Sequence, residues 1–438
     1  MRIFQENKGA FSHQFLSLMR FLLISVGTRG DVEPFIAMGQ LLESYGHQVA
    51  YAFPLQLCDL LPEAAQKFPL SKLFIEMVES PEGRAVMMGE GGILKKLKSF
   101  YKLYKLGMQV NKTLVKEQKE LIENVSPDRI IYHPKSTYPL VYGMLTGKSN
   151  IMASPVPYVV HSHDDHAHLG FGGAGWKWWN LFSYRLGYMG TVKALKMALV
   201  GMEGHRSLTS QSIIERLKTE PFVYLVSPAL YQGPQNGNTY VKVLGFHEKY
   251  KEEKKELDPK LLSFINHHKK VLVLTFGSMI NTRPDLTTQI FLDVFTKLKI
   301  PAIIVTGFGG LIMPDQNKHH SQFYFASQIP FNQILPKVYA IMHHGGAGTT
   351  QSALKYGCAT MIIPHLIDQF MWNRMVAQLG AGPKGIAIKD ISQRKLEPLI
   401  KDLWENETYK ANAINISEKM QDENLKKSLY QFLTQPMD

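Results

Sequence analysis

The sequence predicts an α/β protein built on two doubly wound parallel sheets, and three observations carry the prediction. Short, continuous apolar runs alternate with helix-period stretches, as strands covered on both faces require. The runs fall into two series, one in each half of the chain. At 438 residues, the chain also exceeds what one hydrophobic core usually organises, so two domains of roughly 200 residues are expected.

The first series reads "RFLLISV", "HQVAYAF", "DRIIYH" and "NIMAS"; the second reads "KVLVLTFG", "PAIIVTG", "YAIMHH" and "ATMIIP". Between them, "YQGPQNGNTYVKVLGFHEKYKEEKKELDP" is rich in Gly, Pro, Asn and charge, the composition of a linker. These features place a first domain over residues 20–240 and a second over 241–405. A polar, helix-prone tail over 406–438 is expected to pack back across them. Met19 immediately precedes the first strand, Arg20 interrupts the apolar N-terminal stretch and no small-residue cleavage site follows, so residues 1–18 read as an extension without a role in the fold. In open α/β sheets ligands sit outside the carboxyl ends of the strands, which directs attention to a cleft between the two sheets.

Composition narrows the classes of function. Hydrophobic residues at 45% and charged residues at 20% are ordinary for a globular protein and argue against extensive disorder. A net charge of +12 favours a phosphorylated ligand, an anionic membrane or nucleic acid. No nucleic-acid recognition motif accompanies the charge, so that partner is not expected. The two cysteines, Cys58 and Cys358, lie far apart in apolar settings and suggest neither a disulfide framework nor a zinc site. A reducing cytoplasm fits this usage, and no run of 18 apolar residues provides a conventional membrane span.

Two stretches carry the chemistry. In "HHGGAGTTQSALKYG", residues 343–357, a buried strand runs through paired histidines and glycines into a helix. The start of that helix offers unpaired N–H groups and the positive end of its dipole, which suits a phosphate. The continuation "CATMIIPHLIDQF" ends a strand at Pro364 and starts a helix around Asp368 and Gln369, whose acceptors and donors suit sugar hydroxyls. A plain helix start is the alternative. In "SVGTRGDVEPF", Gly27 and Gly30 form a tight turn that presents Asp31 at the carboxyl end of the first strand, with a helix starting near Pro34. Asp31 is then either a cap for that helix or a catalytic carboxylate, and a carboxylate spent on backbone N–H groups makes a poor base. The turn lacks the G-x-G-x-x-G spacing of a dinucleotide site.

Taken with "LTFGSM" at 274–279, "GTRGDVEP" and "HHGGAGTT" through "DQF" resemble, in order, the signatures of UDP-dependent glycosyltransferases of the GT-B fold, in the branch of sterol glucosyltransferases and bacterial natural-product enzymes. The resemblance implies two Rossmann-like domains facing an interdomain cleft and an inverting transfer of a sugar, glucose foremost, from UDP to a hydroxyl. His344, Gly346, Gly348 and Thr349 would surround the diphosphate, with Ser278 and Gly30 approaching from facing loops. Asp368 and Gln369 would hold the sugar, and the backbone at Ile329 would meet the base, without the stacking aromatic many plant relatives carry. Asp31 would serve as general base. No cofactor and no metal are expected, because N–H groups and an imidazole can stabilise the leaving diphosphate.

The acceptor side is less determinate. "HSHDDHAHLG", residues 161–170, is a polar loop, an acceptor site using His163 and Asp164, or a metal-binding tract, and His161 or Asp164 is the rival of Asp31 as base, or a partner for it. The aromatic stretch at 175–202 is either core or an acceptor lining that includes Trp176 and Trp179. "ILKKLKSFYKLYKLGMQVNKTLVKEQK" is either a solvated helix face or an interfacial helix drawn to anionic lipid, which would make the protein peripheral to a membrane. The expected partners are thus a UDP-sugar donor and a lipophilic acceptor such as a sterol. A soluble polyketide or phenolic acceptor, a nucleotide-sugar epimerase and a non-catalytic sugar-nucleotide binder are the alternatives.

Overall fold

The computed structural model describes residues 18–83, 93–171, 175–202, 207–234, 238–249, 256–314 and 321–436. The N-terminal extension lies outside these residues, apart from Leu18. The first half runs β1 (Arg20–Ile24), α1 (Arg29–Ser44), β2 (Gln48–Pro54), β3 (Gln66–Leu70), α2 (Leu73–Glu79), α3 (Ile93–Val125), β4 (Arg129–Tyr132), α4 (Tyr138–Thr146), β5 (Ile151–Ser154), α5 (Lys177–Ala198), α6 (Ser210–Thr219), β6 (Phe222–Tyr224) and β7 (Val241–Val243). The second runs α7 (Pro259–His267), β8 (Leu272–Thr275), α8 (Pro284–Lys297), β9 (Ala302–Val305), β10 (Phe323–Ala326), α9 (Phe331–Ile334), β11 (Ala340–His343), α10 (Ala347–Lys355), β12 (Ala359–Ile362), α11 (Ile367–Gln378), α12 (Gln393–Glu405), α13 (Glu407–Asp422) and α14 (Lys426–Thr434).

The strands form two sheets, ordered β3-β2-β1-β4-β5-β6-β7 and β10-β9-β8-β11-β12. Neighbouring strands pair in parallel, as β1 does with β2 and β4, and β8 with β9 and β11. Each predicted apolar run became a strand. Alternate residues on β1 divide between the two faces of its sheet: Leu22 and Ile24 enter one apolar cluster, Phe21 and Leu23 the other. On β8, Leu272 and Leu274 similarly face away from Val273. The stretch read as linker contains β7, so its "VKV" completes the edge of the first sheet.

The order of each sheet reverses at one point, between β1 and β4 in the first and between β8 and β11 in the second. The connections on either side of such a point leave in opposite directions and open a crevice at the strands' carboxyl ends. Asp31 and the 133–137 loop lie at the first crevice; Gly277 and His344 lie at the second.

The halves are joined by specific contacts. Gln351 on α10 accepts from Ser227 N at 3.0 Å and donates to Leu225 O at 3.3 Å. The apolar cluster on one face of the first sheet continues into Leu354 and Trp372 of the second half. The C-terminal helix α14 returns to the opposite face of the first sheet, where Leu429, Tyr430, Phe432 and Leu433 join the cluster around Phe21 and Phe35. Arg129 on β4 donates to the carbonyls of Leu433 at 2.7 Å and Gln435 at 2.8 Å. Among the described residues, no helix is long and apolar enough to cross a membrane.

Candidate active site

Helix α1 starts at Arg29, earlier than the sequence suggested, with Thr28 as its N-cap and Pro34 inside the helix. Asp31 sits in the first turn and folds its carboxylate back, accepting from Thr28 N at 2.7 Å and Thr28 Oγ1 at 3.2 Å. Gly27 makes this possible: it has φ +143°, and a Cβ there would lie 2.1 Å from Asp31 Oδ2. Capping and charge pairing coexist on the same group. Lys135 Nζ is 3.0 Å from both Asp31 oxygens, and His133 Nε2 is 3.2 Å from Oδ1.

Asp31 is only 8% exposed. Burial alone would raise its pKa, but the Lys135 ammonium and the hydrogen bond and charge of His133 override that and hold it well below the usual carboxylate range. Asp31 is therefore a firm anion. His133 and Lys135 did not emerge from the sequence as site residues. The sequence shows only that "HPK" follows an apolar strand; that this strand borders β1 is a property of the fold.

In the second crevice, the β11 strand delivers His343 and His344 to the turn before α10. Gly346 is the N-cap of α10 and supplies no capping side chain, so the first N–H groups of that helix point outward uncapped. His344 is buried and its Nδ1 has no hydrogen-bond partner. Burial first, and then the neighbouring His343 and His365, push its pKa well below that of free imidazole, so it is a neutral ring that can donate one hydrogen bond. The surrounding turn is cut to fit this ring. A Cβ on Gly346 would lie 2.5 Å from His344 Nε2, and one on Gly277, which has φ +56°, would lie 2.9 Å from His344 Cε1. At Gly348 nothing comes within 4 Å of an added Cβ, so the space over the second position of α10 is open. Thr349 follows it, half-buried, and Ser278 is exposed on the facing loop. Ile329 is half-buried in the loop after β10, packed on the cluster that contains Ile303 and Ile341.

Asp368 and Gln369 open α11, and they differ sharply. The Gln369 side-chain oxygen accepts from His365 N at 2.7 Å and Leu366 N at 2.9 Å, so that oxygen serves the helix start. Asp368 is half-buried, and burial together with the nearby negative charge of Asp31 raises its pKa to about 6. The two crevices thus meet: a carboxylate of the first half acts electrostatically on a carboxylate of the second. Gly30, on the turn beside Asp31, has its Cβ position 3.8 Å from Thr28 Oγ1 and remains uncrowded.

The His-rich loop is drawn inward. His161 is buried with Nδ1 3.1 Å from Tyr224 OH and its ring edge-on to Phe222, and burial lowers its pKa to about 4. Its contacts are with β6, and Asp31 is not among them. His166 stacks on Tyr158 and reaches Arg374 of α11 at 3.0 Å, a further link between the halves. His163 packs edge-on to Tyr158, and Asp164 pairs with Lys177 at 2.6 Å. No three His, Cys, Asp or Glu side chains converge on a metal-sized site among the described residues. Trp179 is half-buried, whereas Trp176 is 76% exposed.

Comparison with known proteins adds the lineage. Residues 21–126 match the glycosyltransferase family 28 N-terminal domain, and residues 302–431 match the erythromycin biosynthesis protein CIII-like C-terminal domain. Over 437 aligned residues the chain is 26% identical to a sterol 3-beta-glucosyltransferase of Arabidopsis thaliana, covering 94% of this chain and 64% of that protein. Among solved structures, the glycotransferase of kitacinnamycin superposes with a TM-score of 0.69 at 15% identity, covering 96% of this chain and 99% of that one. The glycosyltransferase SsfS6 of Streptomyces sp. SF2575, complexed with thymidine diphosphate, gives 0.60 at 17% identity, covering 94% and 99%. Two facing parallel sheets, a turn-to-helix anion site at the second switch point and two family models spanning more than half the sequence lead to one conclusion: the chain belongs to the GT-B glycosyltransferases, with a family 28 N-terminal domain and a CIII-like C-terminal domain.

Proposed function

We propose that the protein is an inverting glycosyltransferase that moves glucose from UDP to a hydroxyl of a lipophilic acceptor such as a sterol. The observation that carries this reading is the meeting of an acidic switch point with an anion-binding one: Asp31, His133 and Lys135 on one side, and His344 with the uncapped start of α10 on the other. The similarity to a sterol 3-beta-glucosyltransferase supports the acceptor class. In this reading residues 20–243, through β7 of the first sheet, hold the acceptor, residues 256–405 hold the donor and residues 406–438 brace the two.

The chemistry follows from the groups present. As the glycosidic bond to the diphosphate breaks, negative charge grows on the leaving oxygen. The N–H groups of Ala347, Gly348 and Thr349 face that charge, and neutral His344 donates to it without desolvating a cation. Asp368 accepts from a sugar hydroxyl. The acceptor hydroxyl gives up its proton to Asp31 as it attacks, which requires one carboxylate oxygen to exchange Lys135 for the acceptor. The Lys135 side chain is 40% exposed and can swing toward solvent without opening the core.

The test is mass spectrometry of a sterol-containing lipid extract incubated with the protein, UDP-glucose and a metal chelator. A product heavier by one hexose, absent with Asp31→Asn, is expected. Intact UDP-glucose with no hexosylated lipid would reject the donor and acceptor named here.

A further inference from the structure

Helix α5 carries apolar side chains beyond the side it buries. Its inner side buries Tyr184, Val192, Leu195 and Ala198 against the first half of the protein. Its outer side carries Trp178, Leu181, Phe182 and Met189, spaced at i, i+3, i+4 and i+11 and therefore on one face, and all are exposed. Trp178 is 61% exposed, and Trp176 at the N-cap extends the same patch. A helix with apolar residues all round belongs in a core or against a second apolar phase. Contiguous exposed aromatic area of this kind marks a contact surface.

The charge around the patch selects the phase. Residues 175–200 contain Lys177, Arg185, Lys193 and Lys196 and no Asp or Glu; Lys177 pairs with Asp164 of the preceding loop, so the charge beside the patch comes from Arg185, Lys193 and Lys196. The neighbouring helix α3 adds to the same side: Lys193 Nζ lies 5.8 Å from the ring of Tyr104, and Tyr101 and Tyr104 are both exposed. From Ile93 to Lys116 that helix also has no acidic residue. Tryptophan and tyrosine beside cations, with apolar side chains pointing outward, match the boundary between headgroups and acyl chains of an anionic bilayer.

We infer that the outer face of α5, with the adjoining face of α3, docks the protein on an anionic lipid bilayer, with Trp178, Leu181 and Phe182 entering the headgroup boundary and Lys193 and Arg185 meeting lipid phosphates. Trp176 thereby belongs to a membrane contact instead of an acceptor pocket. This inference goes beyond the proposed reaction and does not rest on it, since lipid binding is read without any sugar donor.

The experiment is sedimentation of the full chain with vesicles of phosphatidylcholine alone and of phosphatidylcholine mixed with phosphatidylserine. Binding to the mixed vesicles, about tenfold weaker in Trp178→Ser/Phe182→Ser and in Arg185→Glu/Lys193→Glu, is expected. Brominated lipid should quench tryptophan fluorescence in the parent and quench less in the Trp178→Ser variant. Unchanged melting temperatures keep a folding defect from imitating the result. Failure to bind mixed vesicles, or full binding by both double variants, would overturn the inference. A dimer in solution that Trp178→Ser/Phe182→Ser dissolves, without vesicle binding, would assign the face to a second copy of the chain and overturn it equally.

Discussion

Lys135 Nζ lies equidistant, at 3.0 Å, from the two carboxylate oxygens of Asp31, and the two residues follow adjacent strands, Asp31 in the first turn of α1 after β1 and Lys135 in the loop after β4. The lysine therefore sets the basicity of the carboxylate. Replacing it by methionine removes the main charge that lowers the Asp31 pKa while burial continues to raise it. In Lys135→Met the acid limb of the kcat/KM profile is expected to move to higher pH. An acid limb unchanged from the parent would show that Asp31 is not the group being titrated.

The turn before α10, proposed to hold the diphosphate, offers a steric contrast between two glycines. Gly346→Ala puts a methyl 2.5 Å from His344 Nε2, so the ring must move and UDP binding by calorimetry should weaken by about tenfold or more. Gly348→Ala meets no protein atom within 4 Å. It should leave the melting temperature unchanged and weaken UDP binding only if the nucleotide closes over that position. Equal affinities for UDP in the parent and both variants would remove this turn from the donor site.

Asp368 reports on Asp31 across the cleft. Its pKa is raised to about 6 by burial and by the Asp31 charge, so it gains its own charge as pH rises through that value. A carboxylate accepts sugar hydroxyls better than a carboxylic acid does, and affinity for UDP-glucose should therefore increase across this range while affinity for UDP alone changes less. Asp31→Asn removes the repulsion, and the midpoint should fall. A midpoint unmoved by Asp31→Asn would separate the two carboxylates.

Acid stability follows from histidines buried without charge. His161, His166 and His365 have pKa values lowered to about 4, and His343 to about 3, with burial the leading cause in each. The unfolded chain takes up these protons near pH 6.5, before the folded one does. Their contribution is complete above that value and is lost as pH falls from 6.5 toward 4. Each costs about 1.4 kcal/mol per pH unit within its window. Urea midpoints should fall steeply over this range, and less steeply in His161→Phe. A flat dependence would show that these rings are accessible to protons in the folded state.

The long apolar strands were legible because a doubly covered parallel strand must be apolar throughout. The edge strands β3, β7 and β10, and the short β6 beside β7, were not. "QKFPL" alternates and contains proline, and "VKV" is three residues inside a polar stretch, so neither has the length or pattern that signals a strand. The turn at 343–349 was legible as strand, glycines and helix start. Lys135 was not, because its role depends on β4 lying beside β1, a pairing that spans more than one hundred residues. The capping of α11 by the Gln369 side-chain oxygen was not legible either, because it depends on the loop at His365 and Leu366 folding back over the helix start.

The return of α14 to the first sheet has a consequence for biosynthesis. Arg129 and the Leu433 carbonyl it binds are 304 residues apart. At about 5–20 residues per second, a ribosome needs roughly 15–60 s to deliver the second after the first. Through that interval the side of the sheet bearing Phe21, Phe35 and Val49 lacks Leu429, Tyr430 and Leu433. The nascent first domain thus emerges with an apolar flank uncovered, a natural binding surface for a chaperone, and reaches its finished form only as the last helix is released.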